Sequence, residues 1–165
     1  MPQIILKIND SKDKIYNTEN ICCYIAQKDI SSSQFQEISL TGKPLLILND
    51  VEPSSDGVFF EVDSSKPIKM QIRPIREKIG TKKILGVAIE PTRHEAMLAS
   101  ETEPEFIAFR ITSENLSKAK SVIDWYNDLF LIQSAIDLSA EKVDIKGIDV
   151  DFIIINSRDY HDFSC

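Results

Sequence analysis

A chain of 165 residues, 42% hydrophobic and 27% charged, has the make-up of an ordinary globular domain rather than a disordered one. No apolar run approaches the roughly 18 residues that a membrane-spanning helix needs, and a net charge of −7 speaks against a nucleic-acid binder. The charge is uneven: residues 1–83 hold 12 Lys/Arg against 11 Asp/Glu, whereas 84–165 hold 7 against 15.

The organisation expected is one domain, 1–165, with a strand-rich, near-neutral half (1–90) and an acidic half (91–165). The start, Met1-Pro2-Gln3 and then Ile4-Ile5-Leu6-Lys7, lacks the basic and continuous apolar regions of a signal peptide, so a cytoplasmic protein is expected. Three cysteines without regular spacing do not make a disulfide framework. Cys22 and Cys23 are expected on opposite faces of a strand as buried thiols, and Cys165 as an exposed tail thiol.

In chain order, Gln3–Ile8 reads as a strand closed by the turn cluster Asn9-Asp10-Ser11. Strands are also expected at Ile21–Ala26, Phe35–Leu40, Pro44–Leu48 and Val58–Val62. Ile68-Lys69-Met70-Gln71-Ile72-Arg73 alternates apolar and polar, the period of a half-buried strand with a basic outer face. Ile84–Ile89 is one more strand. After Pro91 a short helix is expected over Thr92–Leu98, then an acidic loop and a strand at Phe106–Ile111. Leu116, Ala119, Ile123, Tyr126 and Phe130 recur at helical spacing and predict the principal helix over 114–130, with Ser113 as N-cap. Val143–Asn156 closes the chain as one or two strands. The fold class that follows is α+β: a mostly antiparallel sheet of six to eight strands packed by one principal amphipathic helix. A crossover unit around that helix would make 152–155 a buried strand.

Motifs are chiefly informative by their absence. The five glycines show no phosphate-cradling spacing, and no GxSxG is present. His94 and His161 are the only histidines and neither HExxH nor CxxC occurs, so no metal site, cofactor or catalytic constellation is expected. The tail Arg158-Asp159-Tyr160-His161-Asp162 reads as solvated or lightly docked, without a nucleophile at a diagnostic spacing. Lys66–Lys83 holds seven basic residues against Glu77 and no aromatic residue to stack bases; a lysine-guarded strand edge is expected there, or pairing with the acidic half.

Phe106–Ile111 followed by Asn115-Leu116, Lys118-Ala119 and Trp125-Tyr126 resembles the strand-then-helix opening of glyoxalase/dioxygenase-type βαβββ modules. The metal-ligand His of those modules is missing from the strand, so their metal chemistry is not implied.

The acidic set carries the leading functional expectation. Glu101, Glu103 and Glu105 share a loop, Asp124 and Asp128 a helix face, and Asp144, Asp149 and Asp151 the last strand region. Clustered like charge repels itself unless a partner meets it, so a non-enzymatic module binding a basic protein is expected, such as an inhibitor of the immunity-protein kind that neutralises a cationic nuclease toxin. The alternative is a small-ligand or enzymatic domain with a pocket between sheet and helix, lined by Trp125, Tyr126, His94 and Arg110.

Overall fold

In the computed structural model the described residues, 2–163, form eight strands and four α-helices. The strands are β1 (Gln3–Ile8), β2 (Ile21–Ala26), β3 (Leu45–Leu48), β4 (Gly57–Glu61), β5 (Ile84–Ile89), β6 (Phe106–Arg110), β7 (Gln133–Asp137) and β8 (Phe152–Asn156). The helices are α1 (Ser32–Thr41), α2 (Ile68–Ile79), α3 (Arg93–Ser100) and α4 (Leu116–Leu129); a 3₁₀ helix, Ser157–Asp162, follows β8. Each strand pairs in parallel with its neighbour in sequence, and β1 pairs with β8, which closes a barrel. The architecture is a closed, all-parallel eight-stranded barrel in which helices follow β2, β4, β5 and β6 while loops follow β1, β3 and β7.

The antiparallel α+β sheet is therefore overturned, and so is the βαβββ module. Two helices mistaken for strands caused the error. In α2, Ile68, Ile72, Ile75 and Ile79 recur at i, i+4, i+7 and i+11; Ile68 and Ile72 are buried, and Met70, on the apolar side in the strand reading, is exposed. Pro74 inside α2 disguised it, since proline removes a helical hydrogen bond. In α1 the Ser31 hydroxyl accepts from the Gln34 N–H, and Ile38 faces the barrel. With α1 and α2 restored, strands and helices alternate, which is the pattern of a parallel sheet.

The principal helix runs over Leu116–Leu129 and is preceded by Asn115 rather than Ser113 as N-cap. The crossover unit is real, but α4 delivers the chain to β7, a strand that the sequence reading does not place. Only 152–156 of the expected 143–156 strand region is strand. No helix among the described residues is long and apolar enough to cross a membrane. Cys165 lies outside the described residues.

Two apolar cores result. The outer one joins strand residues such as Leu6, Val87, Phe109 and Ile155 to the inward stripes of the helices, Ile38, Ile72, Ala96 and Ile123. The inner one is built of strand residues alone and lies inside the barrel. Because both faces of each strand are covered, the strands read as near-continuous apolar runs.

Candidate functional site

The barrel interior is apolar until its last layer. Ile5, Phe59, Ala88, Ala108, Ala135 and Ile154 belong to the inner core on β1, β4, β5, β6, β7 and β8. Side chains alternate along a strand, so the residue two positions further on faces the same way. Those residues are Lys7, Glu61, Glu90, Arg110, Asp137 and Asn156. Six neighbouring strands thus end, at the C-terminal mouth of the barrel, in a ring of four charge-bearing types set above an apolar core.

Register and hydrogen bonds tie the ring together. Lys7 is paired with Asn156 across β1 and β8, and Arg110 with Asp137 across β6 and β7. Lys7 Nζ lies 3.4 Å from Ser139 Oγ, and that hydroxyl donates to Asp137 Oδ1 at 2.6 Å. The Ser139 N–H donates to the same oxygen at 2.9 Å, so Asp137, although 3% exposed, is a well-satisfied carboxylate. Asn156 donates to the Ser139 carbonyl and accepts from Asn9 Nδ2 at 2.8 Å.

On the other side of the mouth, Arg110 donates to the Val62 carbonyl at 2.8 Å, and its Nε lies 3.5 Å from Glu90. Glu61 accepts from Asn49 Nδ2 at 3.0 Å, while Asn49 Oδ1 accepts the Glu61 N–H. Asp63, next along from β4, is held below the usual carboxylate range first by the Ser65 hydroxyl and N–H, then by Lys66 and Arg110 nearby. The mouth thus offers cationic donors at Lys7 and Arg110 and carboxylate acceptors at Glu61, Glu90 and Asp137. Among the described residues no group of three or more His, Cys, Asp or Glu could hold a metal ion.

The acidic residues singled out in the sequence lie elsewhere. Glu103 and Glu105 precede β6, Asp149 and Asp151 precede β8, and Asp128 sits near the end of α4, so these five gather toward the N-terminal end of the barrel. Several are already answered within the chain. Glu101 pairs with Lys69, and Arg76 NH2 reaches Glu105 at 2.9 Å, so the basic segment 66–83, a helix rather than a strand edge, engages the acidic loop beside it. Asp124 pairs with Lys120 at 3.1 Å, Asp144 accepts the Lys146 N–H, and Asp151 accepts the Ser134 N–H.

Of the pocket residues, Tyr126 is fully buried against Phe109 and Phe130 and donates to the Ile132 carbonyl. Trp125 lies under the Arg93 guanidinium, and His94 is exposed. Only Arg110 belongs to the mouth. The tail is docked rather than solvated: Tyr160 is buried and stacks on Tyr16 with ring centroids 4.5 Å apart.

The ring did leave a trace in the sequence. Leu6-Lys7-Ile8, Phe60-Glu61-Val62, Phe109-Arg110-Ile111 and Ile136-Asp137-Leu138 each set one polar residue between apolar neighbours at a strand's end. No protein-family model matches the chain, and no curated protein matches it either.

Proposed function

We propose that this protein binds a small polar ligand at the C-terminal mouth of its barrel. The observation that carries the reading is the ring itself: a single polar layer, drawn from six neighbouring strands, over an interior that is otherwise apolar. Polar and charged groups inside a barrel cost desolvation, and such breaks in the packing pattern belong to functional sites. The same end of other parallel eight-stranded barrels carries their sites, which is support by analogy of fold. Lys7 and Arg110 suit an anionic group, a carboxylate for instance, and Glu61 and Glu90 suit hydroxyl or ammonium donors on the same molecule.

Thermal shift against amino acids, dicarboxylates and sugar acids, followed by NMR titration of the hits, tests this. Lys7→Met is expected to lose the response to the hit while keeping or raising the melting temperature, because an inward charge gives way to a packed thioether. A hit whose affinity is unchanged in both Lys7→Met and Glu61→Gln would remove the mouth from the argument.

An acidic docking face for a basic protein is the second reading. Its support is the gathering of Glu103, Asp128, Asp149 and Asp151 toward one end of the barrel from three separate connections. Neutralising Asp124, Asp128, Asp149 and Asp151 together is expected to weaken capture of a basic partner and flatten its salt dependence.

A further inference from the structure

The N-terminal end of the barrel interior is not filled. A hollow of about 310 Å³ opens there, walled by Ile5, Cys22, Cys23, Ile84, Phe106 and Phe152. A β-bulge shapes it. Ile4 pairs with Ile21 but Ile5 pairs with Cys23, which leaves Cys22 as the extra residue. An unbroken strand would send adjacent cysteines to opposite faces; the bulge lets both line the same hollow.

The walls define the ligand. Phe106 and Phe152 line it with ring centroids 5.7 Å apart, ready to take another ring by stacking or edge contact, and Phe59 backs Phe106 at 6.0 Å. The two sulfurs add soft, polarisable contacts that favour aromatic partners. Burial pushes both thiols up, first by desolvation, so they present neutral S–H groups rather than thiolates. Glu105 at the rim is already engaged by the Leu85 N–H at 2.7 Å and by Arg76, so it leaves no unmet demand for a cation. Anions are disfavoured by the acids gathered at this end.

We infer that the N-terminal hollow is a binding site for a small uncharged aromatic molecule, of one or two fused rings, distinct from the polar mouth at the other end of the barrel. An apolar hollow of this size, poor in partners for water, is of the kind that accepts such ligands.

Indole is the probe. The wild-type protein is labelled with iodoacetamide in alkaline buffer, where part of Cys22 is thiolate, with and without 1 mM indole, and modification at residue 22 is read by peptide mass. With an affinity on the order of 100 µM, expected of so small a ligand, labelling slows about tenfold. Amide shifts on titration should saturate and map to the N-terminal ends of β2, β5, β6 and β8. Gln133→Trp, a change at an exposed rim position, should cap the hollow and abolish both responses; Cys23→Phe should fill it to the same effect. Lys7→Met, at the opposite mouth, should leave indole binding intact, which separates this site from the proposed ligand mouth. Labelling that indole does not slow, or shifts confined to the C-terminal ends of the strands, would overturn the inference.

Discussion

At the scale of single residues the barrel is intolerant where its strands press closest. Gly86 sits under the Phe106 ring, so Gly86→Ala inserts a methyl into occupied space. A loss of about 1–3 kcal/mol is expected by urea unfolding, the usual cost of overpacking a core. Two tyrosines give a pH prediction. Burial pushes Tyr24 and Tyr126 up to about 12, with the Tyr24 hydroxyl held on the Tyr16 carbonyl at 2.6 Å. In the unfolded chain both ionise near 10, so the folded state holds these protons more tightly. Their contribution is fully present below about pH 10 and is lost as pH rises toward 12. Absorbance at 295 nm should therefore show two tyrosines titrating only as the protein unfolds in alkali; early titration of all four would contradict it. Burial of this kind was partly legible in the chain: of the helical stripe Leu116, Ala119, Ile123, Tyr126 and Phe130, the middle three are buried and the two ends half-buried. The ring residues were not, Arg110 apart, because a lone polar residue between apolar neighbours says nothing of which face it takes until the strand's partners are known.

At the scale of elements, α2 shows why sequence and structure parted. Over six residues its pattern fits a strand, and only the full span 68–79 reveals the helical stripe, with Pro74 arguing against it midway. Tertiary packing of Ile68 and Ile72 on the barrel outweighs the local cost of the proline. Pro74 is exposed, so Pro74→Ala is expected to restore the missing backbone bond and raise stability by about 1–2 kcal/mol, checked by chemical denaturation. No gain would mean that the helix is already relaxed around the ring. The basic face of α2 is also satisfied locally, through Lys69 with Glu101 and Arg76 with Glu105. The charge asymmetry of the two halves thus becomes, in part, a joint between neighbouring connections rather than an open invitation to a partner. Exposed pairs of this sort contribute little, roughly 0.2–1 kcal/mol each, so they steer packing more than they secure it.

At the scale of the whole molecule, closure removes every sheet edge. Amides of β1 and β8, terminal in sequence, are expected to exchange with solvent only through global unfolding, as slowly as those of β5. Native-state hydrogen exchange in low denaturant checks this; β8 amides opening well before β5 would show a barrel that unzips at its seam. Parallel closure was the least legible property of the chain. The near-continuous runs at Ile21–Ala26, Ile84–Ile89 and Phe152–Ile155 did carry the mark of strands covered on both sides. That mark could not be used while two crossover helices were counted as strands.

The pairing of Lys7 with Asn156 has a consequence for how the protein comes into being. Lys7 comes from the first strand of the barrel and Asn156 from the last, with Glu61, Glu90, Arg110 and Asp137 in between. On the ribosome β1 must wait on the order of ten seconds for β8 to be made. Until then the nascent chain has no complete ring and two raw strand borders, so it should depend on chaperones for that interval. Ligand capture would then report the moment of closure, switching on only when the last strand arrives.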